Sequence, residues 1–406
     1  MKNLFRAKKN YLFALGWLGI LWVLLSAVSY YFLVVPRQHC FDFYPRWEGV
    51  RAVLARENPY HIEVSWHIQE EMFGRRQESH EIVQHFVYLP TITWLLLPFW
   101  ILPYKLAVSL WCGLQLLFLL LCPLLTIYLL KWKLQPISFL TLLMFSILVF
   151  RYPINAYLLG QFIPFVLVNL IFAWWGIANK NSLVTIFGLV GMLVRPEVVI
   201  VPIGVLLIHN WMEARRNVVV GWGIITIFLW LLTQIWIGPW IVDFLNGVSD
   251  YVGYSFISWL PQFVDNFYLG VSLILLIIGW GGWMWFSLRP LPSYERLPWE
   301  ISVGIVVALL VFPQPNNYTL ILALIPIWVA LWASKRKLKD WLISLMVLSS
   351  PWGFYAFQEY LPFAIERVLI PLITGMLLTV QWHRRQSLLK IRTSNTIQFQ
   401  ERAEGI

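Results

Sequence analysis

The chain has 406 residues, of which 59% are hydrophobic, 17% aromatic and only 12% charged, with a mean hydropathy of +0.69. Soluble domains carry about 25% charged residues, so a water-soluble enzyme is excluded and an all-α polytopic membrane protein is expected. The formal charge of +10 implies no nucleic-acid partner, because basic residues that cluster in short loops between apolar runs orient a membrane protein.

Lys2, Arg6, Lys8 and Lys9 precede an apolar run over 11–35 that has no small-residue cleavage site. That pattern is a retained signal-anchor helix with its N-terminus in the cytoplasm. Residues 36–105 form the longest polar stretch and are expected to be an outer first loop with juxtamembrane helices. Within it Trp47, Val50, Val53 and Leu54 recur at helical spacing over 46–57, and Asn58-Pro59 stops that helix. A second short helix is expected over 63–73, ending at Gly74. Residues 87–102, VYLPTITWLLLPFWIL, are short and carry Pro90 and Pro98, so they are expected to stay juxtamembrane or re-entrant.

If 87–102 does not cross, the later spans fall near 106–130, 136–150, 161–178, 183–194, 198–210, 218–237, 267–288, 300–312, 318–333, 341–357 and 363–382. The cytoplasmic side then holds 20 of the 30 Lys and Arg residues but 6 of the 20 acids, whereas a crossing at 87–102 would leave only 8 basic residues inside. The bias of basic residues sets orientation, which selects twelve spans with both ends cytoplasmic in the plasma membrane. Residues 1–382 are expected to be one transmembrane domain, and 383–406 a basic, loosely ordered cytoplasmic tail.

The outer side collects the unusual residues: Arg37, Asp42, Arg151, Gln161, Arg195, Glu197, Asp243, Asp250, Asp265, Asn316, Asn317, Tyr318, Glu359, Glu366 and Arg367. Charges, amides and prolines at membrane depth are costly unless they line a cavity, so an outward-facing site is expected. Asp42 is the first acid after the first span. Its neighbours Phe41, Phe43, Tyr44 and Trp47 would also suit an interfacial aromatic anchor. Cys40, Cys112 and Cys122 show neither a paired nor a metal-binding spacing, and His39, His61, His67, His80 and His85 do not form a helical metal pair. Neither a metal nor a cofactor is expected. Glu48 and Glu57 are expected to be solvated partners of Arg51 and Arg56.

The aromatic-flanked Asp42, the loop ending in Asn58-Pro59-Tyr60, the Tyr88-Leu89-Pro90 hairpin, Leu158-Leu-Gly-Gln161 and Arg195-Pro196 occur in an order that resembles the glycosyltransferase family 87 membrane mannosyltransferases. These are a branch of the GT-C superfamily of polyprenyl-phosphate-sugar-dependent enzymes. The resemblance covers residues 1–210, and 300–335 more loosely. It implies a GT-C-like bundle of about twelve transmembrane helices, a polyprenyl-phosphate sugar donor, a lipid or glycan acceptor, inversion at the anomeric carbon, and the first-loop Asp as catalytic base. Asp42 occupies that position. Arg195 stands where Lys is frequent, and Pro164 stands near a position that usually holds Asn.

The chemistry agrees with one carboxylate. A polyprenyl phosphate is already a good leaving group, so the reaction needs a base for the acceptor hydroxyl and cations for the departing phosphate. Arg195, Arg151 and Arg37 are candidates for the phosphate. Gln161, Glu197, Asn316, Asn317 and Tyr318 are candidates for sugar or acceptor hydroxyls. Two other classes stay open: a multispan lipid or solute transporter or flippase, for which internal repeats would be expected and none is evident, and a non-catalytic subunit of a membrane assembly.

Overall fold

The structure is a computed structural model. It describes all residues except 1, 38–41, 79–80, 82–83, 255–259, 261–263, 265, 314–315, 335–336, 362–364 and 405–406; the side chains of 1–12, 248, 250–254 and 388–404 are likewise not described. The readings made for His39, Cys40, Phe41, His80 and Asp265 therefore lie outside the described residues. Among those described there is no strand, and a helix stands at each of the twelve stretches read as spans.

Among the described residues four helices are long and apolar enough to cross a membrane by themselves: Phe13–Arg37, Tyr104–Leu129, Arg216–Ile237 and Phe267–Leu288. Pro136–Val149 and Arg151–Leu158 qualify only when taken together, and four more apolar helices are shorter. Large apolar side chains such as Phe32, Ile235 and Leu276 point outward. Such a surface suits hydrocarbon, and the architecture is that of a helical membrane-embedded protein. Residues 87–102 fold into two one-turn helices, Ile92–Leu95 and Leu97–Trp100. A four-residue helix rises only about 6 Å, far less than a hydrocarbon core of about 30 Å.

The chain divides into two compact units, each assembled from separate stretches. The first comprises Met1–Leu125, Arg151–Val199 and Asn210–Ile257. Its polar loop is built from helix α1, Phe43–Leu54, and helix α2, Ile62–Phe73, which ends at Gly74 in the left-handed conformation. α1 begins three residues before the helix read from the sequence, and Phe43, Tyr44 and Pro45 in its first turn are buried. Trp47, Val50 and Val53 are buried as their spacing predicts, and Leu54 is half-buried. Phe43 and Tyr44, which an interfacial anchor would leave at headgroup level, are instead inside the protein. Phe43 stacks on Trp100 at 5.4 Å and on Trp111 at 6.0 Å, and Phe162 meets Trp111 edge-on at 4.7 Å. Aromatic pairs of this geometry contribute about 0.5–1.5 kcal/mol each beyond area burial.

The same unit contains a tight helical hairpin of Ile163–Ala178 and Ser182–Gly191. Gly188 makes it possible: a Cβ there would stand 2.6 Å from the Ala173 nitrogen. Small residues bring helix backbones together in lipid, where packing rather than expulsion of water drives association.

The second unit comprises Thr126–Phe150, Ile200–His209 and Ser258–Ile406. Ser293–Val311 is its most enclosed long helix and contacts Phe267–Leu288, Leu324–Ala333 and the last helix. Trp328 donates to Ser146 Oγ at 3.0 Å and Trp280 to Thr379 Oγ1 at 3.0 Å. The last helix, Glu366–Glu404, runs on through the tail read from the sequence as loosely ordered. Residues 383–404 contain neither Pro nor Gly, so nothing local stops the helix.

Candidate functional site

The site grows from the junction between α1 and two later stretches of the first unit. Asp42 immediately precedes α1, and Arg46 follows one turn later on the same face. Gln161 arrives from the Leu158-Leu-Gly-Gln161 turn, which needs its glycine. Gly160 has φ +66°, and a Cβ there would lie 3.1 Å from the Phe43 Cβ. A residue with a side chain would be strained by handedness and crowded by the ring that anchors α1. Arg195 leaves the helical conformation, at φ −141° and ψ 66°, between the 3₁₀ turn Met192–Val194 and Pro196, the first residue of the next helix. Proline excludes the α conformation from the residue before it, so the Arg195-Pro196 step breaks the helix here.

A continuous polar chain results. Gln161 Nε2 donates to Asp42 Oδ2. Gln161 Oε1 accepts from Arg46 Nη2 at 2.6 Å. Arg46 Nη2 also donates to the Tyr88 hydroxyl, and its Nη1 lies 3.4 Å from the Gly160 carbonyl, which Trp111 Nε1 also approaches at 3.0 Å. Arg195 Nη1 makes a long contact to the same Tyr88 hydroxyl at 3.4 Å, and its Nε donates to Glu197. Both guanidiniums lie over the Tyr88 ring, Arg46 at 4.6 Å and Arg195 at 5.5 Å from its centroid. Arg46 and Arg195 are almost wholly buried, whereas Glu197 is substantially exposed.

Two carboxylates and two guanidiniums thus share one cluster. Burial pushes the Asp42 carboxyl above the ordinary carboxylate range. Arg46, the Gln161 amide and Arg195, in decreasing order, oppose that rise without cancelling it. The result is a carboxylate with increased proton affinity, held in one orientation by an amide.

The loop around this cluster is tied down by the Asn58-Pro59-Tyr60 motif. Asn58 Nδ2 donates to Asp243 Oδ2 at 2.6 Å, the Tyr60 amide returns to Asn58 Oδ1 at 3.1 Å, and the Tyr60 hydroxyl donates to the Tyr88 carbonyl at 2.5 Å. The motif therefore positions Tyr88 from behind.

Of the residues read from the sequence, Asp42, Gln161, Arg195 and Glu197 come together. Arg37 instead donates to the Leu158 carbonyl at 3.3 Å on an exposed face, and Arg151 opens the helix Arg151–Leu158. The cations whose charge bears on Asp42 are Arg46 and Arg195. Asn316, Asn317 and Tyr318 belong to the second unit. There the Asn317 amide donates to Glu366 and accepts from Arg367, while Tyr318 is buried at the start of a 3₁₀ turn. Asn317 is thus engaged in joining that turn to the last helix.

Glu48 lies 3.4 Å from His67 and is pushed up by burial. Arg51 stacks over Trp47 and Arg56 over Trp236, both at 4.6 Å. Arg51 still acts electrostatically on Glu48, as expected, but Glu48 is half-buried rather than solvated, and both guanidiniums lie over aromatic faces. Arg46 and Tyr88 escaped the sequence reading. An acid and an arginine four residues apart on one helix would have pointed to Arg46; Tyr88 gave no signal beyond its place in the Tyr-Leu-Pro hairpin. No group of three or more metal-ligating side chains occurs among the described residues.

No family model, curated protein or solved structure matches this chain. The functional reading therefore rests on the residues themselves.

Proposed function

We propose that the chain is an inverting glycosyltransferase, which moves a hexose, mannose first among the candidates, from a polyprenyl-phosphate donor to a hydroxyl of a lipid or glycan on the outer face of the plasma membrane. The observation that carries this reading is Asp42: an oriented carboxylate with raised proton affinity beside two buried guanidiniums, while the cluster's other carboxylate, Glu197, is exposed and paired with Arg195. Ionised Asp42 takes the proton of the acceptor hydroxyl as that oxygen attacks the anomeric carbon. Base catalysis of this kind contributes about 10²–10⁴ in rate. The leaving phosphate departs towards Arg195 and Arg46, whose planar forks match phosphate oxygens. One carboxylate in one displacement inverts the anomeric centre. The outer-face assignment and the twelve-span topology with both termini inside follow from the basic-residue bias, and the order of motifs resembling glycosyltransferase family 87 supports the donor class.

The test is transfer of mannose from a synthetic polyprenyl-phosphate mannose by purified protein in nanodiscs, alongside Asp42→Asn. Expected are product with the parent, at least a hundredfold lower turnover in the variant, and unimpaired donor binding by the variant. Asn keeps the shape and the Gln161 contact but cannot take the proton. A variant retaining more than a few per cent of turnover would remove Asp42 from the mechanism. Movement of a lipid or solute across proteoliposomes without any glycosylated product would replace enzyme by transporter.

A further inference from the structure

The second unit holds a polar cluster that sugar transfer does not use. His209 is fully buried, and its Nδ1 lies 2.5 Å from Glu300 Oε2. Glu300 is equally sealed and is in ion-pair contact with Arg296, one turn earlier on the same helix, at 3.1 Å. On the other edge of the ring, His209 Nε2 lies 3.1 Å from Ser293 Oγ. Glu300, in ion-pair contact with Arg296, faces Nδ1 as an acceptor, so the tautomer that completes both contacts of the ring carries its proton on Nδ1 and donates to Glu300. The neutral ring then presents the Nε2 lone pair to the Ser293 hydroxyl. The order is nucleophile, base and orienting acid, each on the ring nitrogen that nucleophilic catalysis requires.

A polar weld between the two stretches would use the same bonds, but two further features single out Ser293. It is half-buried between exposed Pro292 and Tyr294, so a reagent can reach it while the rest of the relay stays sealed. It is also the first residue of a 19-residue helix whose first bonded amides are Glu295 and Arg296, both to the Pro292 carbonyl. The Ser293 and Tyr294 N–H groups precede them in the first turn, whose amides have no partner within the helix and can hold an oxyanion.

We propose that Ser293, His209 and Glu300 form a second catalytic site that hydrolyses carboxylic esters of amphiphiles at the membrane surface, on the side the basic residues mark as cytoplasmic. Ser293 Oγ attacks the carbonyl carbon while its proton passes to His209 Nε2. The tetrahedral oxyanion is held by the two N–H groups. On collapse the C–O bond of the ester breaks, and the alcohol leaves with the proton from Nε2. Water then attacks the acyl-serine, gives a proton to His209, and releases the acid as Ser293 recovers its hydrogen.

The experiment treats the full-length protein in nanodiscs with a fluorophosphonate probe, maps the label by mass spectrometry, and follows p-nitrophenyl butyrate turnover in parallel. The label is expected on Ser293, absent after heat denaturation and in Ser293→Ala, and formed at least tenfold more slowly in Glu300→Gln. Asp42→Asn should label like the parent, which separates this site from sugar transfer. Should Glu300→Gln fail to fold, selectivity within the parent decides: Ser293 should label at least tenfold faster than any other serine of the chain. No label on Ser293 of the folded parent, labelling of Ser293 no faster than of other serines, or equal ester turnover in parent and Ser293→Ala overturns the proposal.

Discussion

Gln161 offers a sharp test of the Asp42 site, because it contacts the carboxylate without being a candidate base. Its Nε2 donates to Asp42, its Oε1 accepts from Arg46, and the side chain is wholly buried. Leu has nearly the same shape, so Gln161→Leu deletes a hydrogen bond that favours the charged form of Asp42. Hydrogen bonds to charged groups contribute about 1.5–3 kcal/mol, and one pH unit corresponds to about 1.36 kcal/mol. Removing that donor therefore raises the Asp42 carboxyl further above the ordinary range. The direction is fixed. As the proposed base Asp42 would work when deprotonated, and burial already holds its carboxyl above the ordinary range. Activity is therefore present above that raised value and is lost as pH falls through it; without the Gln161 donor the loss begins at still higher pH. The assay is transfer rate from about pH 4 to 9 at saturating donor, where the acid limb reports the enzyme–substrate complex. Gln161→Glu is the partner experiment: it preserves the contact to Arg46 but sets a second carboxylate beside the first, so its limb should move further up. An acid limb that stays put in folded Gln161→Leu protein would show that Asp42 is not the titrating base.

Three further outcomes are expected. Arg195→Gln should raise KM for the donor more than it lowers turnover, and Arg195→Lys should recover part of the loss; steady-state kinetics over donor concentration separates the two effects. Asp42→Asn should be at least as stable as the parent at neutral pH. A raised folded carboxyl value favours the parent only while it is protonated, so the variant's advantage should grow as pH rises through that value and then level off, as thermal unfolding in detergent would record. In a background carrying Cys40→Ser, a cysteine at Arg75 should label from outside intact cells and one at Lys337 should not; the opposite pattern would invert the proposed topology.

Much of the scaffold was legible from the sequence because helix formation in a membrane protein follows from local apolar runs and their breakers. Gly74 ends α2 where the chain offers a left-handed residue, and Pro90 and Pro98 break 87–102 into two single turns. The site was legible only where a residue stood out against its surroundings, as Asp42, Gln161, Arg195 and Glu197 do. Arg46 was lost among seven basic residues between 36 and 105, since a charge inside a short amphipathic helix reads as solvated. Its burial arises from contacts made by Phe162 and Tyr88, both of which lie over its guanidinium. Likewise, His209 and Glu300 meet across 91 residues, and no spacing rule connects them. The continuation of the last helix past 382 shows the converse, a helix formed where composition suggested none was needed.

The hydrogen bonds of the Asp42 cluster bridge 119 residues to Gln161, 42 between Arg46 and Tyr88, and 107 from Tyr88 to Arg195. During synthesis Asp42 emerges first and remains an ordinary, hydrated carboxylate. Its partners arrive in sequence: Tyr88, then the Gly160-Gln161 turn, and last the Arg195-Pro196 break, by which time almost half the chain has been made. Contacts between such distant residues form slowly, because long loops must close before the contact repays them. The altered proton affinity of Asp42 is thus a property of the finished assembly, and a chain stalled before residue 195 would carry the acid without its chemistry.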